Sequence, residues 1–254
     1  MRHLIIPDCQ IRPGDDLKFL SWIGKYIVHK KPDKIICLGD FADMPSLSSY
    51  DVGKKSFEGK RYTKDIQVVH EAMNVLLSPI WLYNIKQQET KHKKYVPEFH
   101  MFFGNHEDRI SRAVENDAKL EGLLSIQDLS YESFGWKCYP FLEVSVLDGV
   151  AYSHYFVTGV AGRPCSTANV QLTKKHMSCI SGHQQGLQIA TGNSADGRLL
   201  TSVIAGSCYE HNEDYLGPQA NNHWRGILVL NDVQNGEFDL MPVSLKFLKV
   251  KYDN

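Results

Sequence analysis

Residues 99–108 read Phe99-His100-Met101-Phe102-Phe103-Gly104-Asn105-His106-Glu107-Asp108. A short apolar run ends in a glycine and then in four polar residues carrying an amide, an imidazole and two carboxylates. The run has the length and character of a buried strand. Glycine permits the sharp turn that swings polar groups over a strand's end. A helix is expected next, from roughly Glu107 to Asn116.

The same arrangement occurs twice upstream. His3 to Ile6 is a short apolar strand ended by Pro7 and followed by Asp8-Cys9-Gln10. Lys34 to Leu38 is a second buried strand, running into Gly39-Asp40-Phe41-Ala42-Asp43. Between them, Leu17, Leu20, Ile23, Tyr26 and Ile27 keep helical spacing from Asp15 to His29. Asp15 and Asp16 suit that helix's first turn, and Lys30, Lys31 and Pro32 close it. Strand, helix, strand with a crossover implies parallel pairing in an α/β layer.

The segment from Met44 to about Pro97 interrupts this rhythm. Its first part, through Thr63, is rich in Ser, Gly and Lys and reads as loop. Asp65 to Ile85 reads as a helix in which Pro79 predicts a kink or an early stop. After Trp136 short β segments are expected around residues 142–147, 150–154, 199–204, 227–230 and 238–243. Asp148-Gly149 is a hairpin signal between the first two. There is no repeat, low-complexity tract or linker, so residues 1–254 are expected to form one domain with an insertion at about 44–97.

Composition bounds the function. The 254 residues are 43% hydrophobic, 11% aromatic and 22% charged, with a net charge of −1. That apolar share supports a core and excludes a disordered or fibrous chain. Near-neutral charge gives no global field for nucleic acid or membrane, so any basic surface must be local. No apolar run approaches the roughly 18 residues of a transmembrane span, and the first apolar stretch is too short for a signal peptide. Six cysteines (9, 37, 138, 165, 179 and 208) form no CxxC pair. Reduced structural thiols and a cytoplasmic protein are expected.

Five polar blocks end predicted strands: Asp8-Cys9-Gln10, Gly39 to Asp43, Gly104 to Asp108, His154, and Gly182-His183-Gln184-Gln185. Strand ends of an α/β sheet converge at one edge, so these blocks can share a cleft. Carboxylates, an amide and imidazoles are a first shell suited to two divalent cations.

In this order the blocks resemble the calcineurin-like metallophosphoesterase family, whose pattern is D-x-H, G-D-x-x-D, G-N-H-[ED], a lone His, and G-H-x-H. The resemblance runs from Asp8 to Gln185. The tail, with Gly206-Ser207, Tyr215-Leu216-Gly217 and His223-Trp224-Arg225-Gly226, looks like the short members common in phage and bacterial genomes, which would place the protein in the cytoplasm of a bacterial host. The resemblance implies a four-layer αββα sandwich of two packed β-sheets flanked by helices. It implies that Asp40 bridges two metals about 3.5–4 Å apart. Asn105, His154 and His183 would complete one metal site, and Asp8, position 10 and position 185 the other. His106 would face the scissile phosphate. Gln10 and Gln185 stand where the family has histidine, both on the same metal.

An amide oxygen is a harder, weaker donor than an imidazole nitrogen, so Mn²⁺, then Mg²⁺, is expected ahead of Zn²⁺ or Fe. The expected activity is hydrolysis of a phosphodiester, nucleic acid or nucleotide, by a metal-bridging hydroxide, with His106 assisting the leaving oxygen. The alternatives are a phosphomonoesterase and a non-catalytic scaffold with a degenerate metal site, such as the retromer-type subunit of the same family.

Other residues carry two readings. Asp43 either holds a neighbouring N–H or is loop. Arg109 and Arg112 share a helix face and either clamp phosphate or pair with Asp108 and Glu115. Residues 44–100 hold nine Lys or Arg against six Asp or Glu. Lys54, Lys55, Lys60, Arg61 and Lys64, with Lys91, Lys93 and Lys94, form either a nucleic-acid rim or a solvated surface. Cys9 is expected to pack. His176, His211 and His223 are expected to be surface or structural, and Tyr209 and Trp224 core residues able to stack on a base.

Overall fold

The computed structural model describes residues 1–50, 52–213 and 217–253; Tyr215 and Leu216 of the tail lie outside them. The chain runs β1 (His3–Ile6), α1 (Lys18–Lys30), β2 (Lys34–Cys37), α2 (Tyr62–Glu89), β3 (Glu98–Phe102), α3 (Arg109–Asn116) and β4 (Lys137–Tyr139). It continues through β5 (Ser145–Leu147), β6 (Val150–Tyr152), β7 (Val157–Thr158), β8 (Arg163–Pro164), α4 (Ala168–Lys175) and β9 (Cys179–Ser181). β10 (Leu187–Asn193), β11 (Leu199–Ala205), the single turn α5 (Gly217–Ala220), β12 (Gly226–Gln234), β13 (Glu237–Ser244) and α6 (Leu245–Tyr252) follow.

Among the described residues two large sheets form, in strand order β13-β12-β1-β2-β3-β4 and β10-β11-β9-β6-β5, beside a small β7-β8 hairpin. β1 to β4 pair in parallel, with His3 beside Lys34, Lys34 beside Glu98 and Met101 beside Cys138. Side chains alternate across each strand, so one sheet builds two cores. Ile5, Ile36 and Phe102 meet Tyr152, Ile180 and Val203 of the second sheet in a buried inter-sheet layer. Leu4, Ile6, Ile35 and Met101 face Leu20, Ile23, Leu76 and Leu248 of α1, α2 and α6. Val170 of α4 packs on Ala151 and Cys179, on the outer face of the second sheet. The result is the expected αββα sandwich. No described helix is long and apolar enough to cross a membrane.

Three local expectations change. α2 neither stops nor restarts at Pro79 but continues to Glu89. Its neighbour explains the tolerance: a Cβ on Gly24 of α1 would stand 2.3 Å from the Leu76 carbonyl oxygen and 2.9 Å from Pro79 Cγ. The two helices therefore touch where α1 has no side chain, and that tertiary contact offsets the missing hydrogen bond. α1 starts at Lys18, later than Asp15. Asp16 accepts from the Lys18 N–H (3.0 Å), while Asp15 accepts from the Arg12 N–H (3.1 Å). β4, β7, β8, β10, α4, α5 and α6 were not expected.

The Asp148-Gly149 turn does join β5 to β6, with φ of 51° and 86°. Both values lie in the left-handed region that a type I′ turn requires. All six cysteines are free thiols, and five, Cys9 among them, are buried.

Candidate metal centre

The loops after β1 and β2 are zipped together beyond the strands. Gln10 N–H donates to the Asp40 carbonyl (2.8 Å) and Ile11 N–H to that of Phe41 (2.8 Å). Asp8 pairs as an isolated bridge with Ser207, and Cys208 N–H donates to the Asp8 carbonyl (2.7 Å). Gln10, Asp40 and His183 all adopt positive φ (46°, 47° and 68°). Non-glycine residues in this region carry strain that surrounding structure must hold in place. The glycines are fitted to the carboxylates: a Cβ on Gly104 would stand 2.1 Å from Asp40 Oδ1, and one on Gly182 2.3 Å from Asp8 Oδ1.

Asp40 Oδ1 accepts from the His106 backbone N–H (2.9 Å), and its Oδ2 lies 3.4 Å from His154 Nε2. His154 Nδ1 donates to the Leu38 carbonyl (2.8 Å); burial lowers its pKa, but the Asp40 carboxylate facing Nε2 outweighs burial and pushes it up to about 9. Asn105 Oδ1 stands 3.0 Å from His154 Nε2 and 2.8 Å from His183 Nδ1. Asp40, His154 and His183 each offer a ligand atom, all within 4.8 Å of one another.

Asp8 Oδ1 accepts from the His183 N–H (3.1 Å), but Asp8 Oδ2 and Gln10 Oε1 are buried without a hydrogen-bond partner. A buried acceptor left unmade costs about 1–3 kcal/mol, and more when charged. Divalent cations are the group that these oxygens and the neighbouring imidazoles fit.

The electrostatics agree. Burial, reinforced by the Asp40 charge, pushes Asp8 up to about 7. Burial would raise Asp40 too, but His106 and His154 outweigh it and hold that carboxyl well below the usual range. Burial and the neighbouring His154 lower His183 to about 4, which keeps its imidazole neutral as ligation requires.

His106 sits beside this cluster. Its Nδ1 lies 2.7 Å from Asp43 Oδ1, and its Nε2 3.2 Å from Arg109 Nη2 and 3.8 Å from Asp40 Oδ2. Burial lowers its pKa, but the charges of Asp40 and Asp43 outweigh that and raise it. Arg109 donates to the Asp43 carbonyl (2.7 Å) and Oδ1 (3.4 Å). Asp43 therefore holds His106, and Arg109 holds Asp43. Arg112 instead donates to the Asn105 carbonyl (2.6 Å) and pairs with Asp108 (3.1 Å).

Gln185 Oε1 accepts from the Tyr209 hydroxyl (2.8 Å). Tyr209 is a core ring, stacked on His211 at 4.3 Å. His211 is itself paired with Glu213 (2.6 Å) and Asp15 (3.4 Å), so it is structural. Lys91, Lys93 and Lys94 are not brought to the centre: they follow the C-terminus of α2, at the edge where β3 begins.

One buried residue had no role in the sequence reading. Glu107 Oε2 accepts from the N–H groups of Asp40 (2.9 Å) and Gly104 (2.8 Å), and its Oε1 from that of Ala42 (2.9 Å). It ties the β2 and β3 loops together. The acidic position closing G-N-H-[ED] was the signal for it.

No family model matches the chain. It is similar to the Gene 54 protein of Mycobacterium phage L5, 25% identical over 252 residues that cover 95% of this chain and 93% of that protein. Among solved structures it is similar to wild-type Vps29 of Entamoeba histolytica complexed with Zn²⁺. That likeness has 10% identity and a TM-score of 0.41, covering 96% of this chain and 99% of that one. A single mutant of the same Vps29 gives 11% identity and a TM-score of 0.42 over the same shares.

Proposed function

We propose that the chain is a metal-dependent phosphoester hydrolase, acting on a phosphodiester through two divalent cations. The observation that carries this reading is the pair of buried, unpartnered oxygens, Asp8 Oδ2 and Gln10 Oε1, beside the Asp40, His154 and His183 donors. Asp8, Gln10, Asp40 and Gln185 would hold one cation, and Asp40, Asn105, His154 and His183 the other. Cations bound there supply Lewis-acid stabilisation of charge on phosphoryl oxygens and make water acidic enough to attack at neutral pH. The amide oxygens of Gln10 and Gln185 favour Mn²⁺ or Mg²⁺ over Zn²⁺.

The protein's own groups do the rest. Asp43 accepts a hydrogen bond from His106 Nδ1 and fixes the ring, so the other nitrogen is the one available to a leaving oxygen. Arg109 places a guanidinium 3.2 Å from the same nitrogen, which makes the pair a seat for an anionic oxygen.

A second reading, a metal-binding scaffold, draws on Gln185, whose Oε1 is already engaged by Tyr209. Chelated protein reloaded with Mn²⁺ separates the two. Hydrolysis of a generic diester that vanishes on chelation and returns on reloading supports the hydrolase. Full metal content with no turnover of diester or monoester supports the scaffold.

A further inference from the structure

The loop before α2 forms one wall of the cavity that contains His106. This cavity, about 1030 Å³, is lined by Asn105, His106 and Arg109 and by Tyr50, Arg61 and Lys64. Its volume lies at the top of the range for small-ligand pockets, roughly 300–1,000 Å³, and exceeds what a lone phosphate fills. Six Lys or Arg side chains line it against four carboxylates. Two of those carboxylates are committed: Asp43 to His106 and Arg109, and buried Asp65 to the Ser46 N–H (2.9 Å). Arg109 pairs with Asp43 and Arg12 with Glu213, so the other lining cations, Lys54, Lys60, Arg61 and Lys64, all belong to the loop and the first turn of α2.

Tyr50 adds a second, independent feature. It lines the same cavity and is 82% exposed, an aromatic ring standing in water beside cations. A cationic track with an aromatic platform is the physical basis of single-strand binding, since every base has a face to stack and every linkage a charge. The other basic stretch lacks this setting. Lys91, Lys93 and Lys94 lie past the far end of the 28-residue α2, about 40 Å away at its helical rise, and do not line the cavity.

We propose that this wall is a subsite for single-stranded nucleic acid, in which Arg61 and Lys64 take phosphates flanking the one at His106 and Tyr50 stacks on a base. The position of the scissile phosphate rests on the phosphoesterase reading; binding along the wall does not.

The test is fluorescence anisotropy of a labelled single-stranded oligodeoxynucleotide on chelated full-length protein, followed by hydrolysis on the Mn²⁺-loaded form. Arg61→Ser with Lys64→Ser should weaken binding about tenfold or more and flatten the log–log salt slope by about 1.4, at roughly 0.7 for each phosphate left without its cation. Tyr50→Ala should weaken binding without changing the slope. Lys91→Ser with Lys93→Ser carries the same charge change and should bind as the unmodified protein does.

Turnover of a small chromogenic diester should stay unchanged in all of these variants. Equal losses from both charge pairs, or no salt-dependent binding by the unmodified protein, would overturn the subsite. Duplex DNA bound as tightly as the single strand would overturn the stacking role. Wall-dependent binding with no hydrolysis would sustain the subsite and sink the hydrolase instead.

Discussion

The two ends of the sandwich bury the same kinds of side chain and treat them in opposite ways. Where β1, β2 and β3 begin, His3 Nδ1 meets the Tyr152 hydroxyl at 2.7 Å and its Nε2 meets Asp148 at 2.8 Å. Lys34 pairs with Glu98 (3.0 Å) and Asp148 (3.6 Å), and His100 joins the Tyr139 hydroxyl (2.9 Å) to Glu98 (3.3 Å). Each of these side chains has a partner, and the network ties the first sheet to the hairpin of the second.

Where the same strands end, Asp8 Oδ2 and Gln10 Oε1 have no partner, and the backbone is left-handed at Gln10 and Asp40, as it is at His183 after β9. A satisfied polar cluster has no coordination capacity left and acts as structure. An unsatisfied, strained one keeps capacity for something from outside. Residue type does not distinguish a histidine of one end from a histidine of the other; the pairing of its neighbours does.

The largest expected effect that tests this contrast is at Asp40. Asp40→Asn should abolish turnover and lower metal content at both sites, measured by elemental analysis. A variant that keeps two Mn²⁺ per chain and full activity would show that Asp40 is not shared between cations.

Next is His106→Asn, which should leave metal content near normal and cut turnover by roughly 10²–10⁴, the usual worth of a positioned acid or base. Unchanged rates would remove His106 from the chemistry.

A smaller effect is expected from the glutamines. Gln10→His with Gln185→His should tighten one site about tenfold and turn its preference from Mn²⁺ toward Zn²⁺, read by calorimetry. Two equally tight Zn²⁺ sites in the unmodified protein would contradict the assignment.

The smallest change belongs to the other end. Burial, only partly opposed by Asp148, lowers the His3 pKa from 6.5. His3 is thus neutral in the folded chain where it would protonate if unfolded. Its contribution is present above the unfolded value of about 6.5 and is lost as pH falls below it. Metal-loaded protein should therefore lose stability by thermal melting as the pH falls below about 6.5. His3→Phe should cost about 1–3 kcal/mol at neutral pH, flatten that slope and leave metal content untouched. A loss of metal from this variant would mean that the two ends are not independent.

Much of this was legible in the sequence alone. The strands at His3, Lys34 and Phe99, the α1 periodicity and the Asp148-Gly149 turn are local signals, set by burial period and backbone preference within a few residues. Of the ordered blocks, Asp8, Asp40, Asn105, His154 and His183 stand within reach of one another, while Gln185 turns to Tyr209.

Tertiary structure decided the rest, because each remaining question depends on residues far apart in the chain. α2 runs through Pro79 because Gly24, more than fifty positions earlier, lets α1 come close. α6 escaped notice because only Leu245 and Leu248 of its eight residues are buried. Of two basic stretches similar in composition, one lines the cavity and the other lies past the opposite end of a long helix. Whether a buried oxygen is paired is likewise a property of the packed chain, since a hydrogen bond depends on distance and angle rather than on sequence separation.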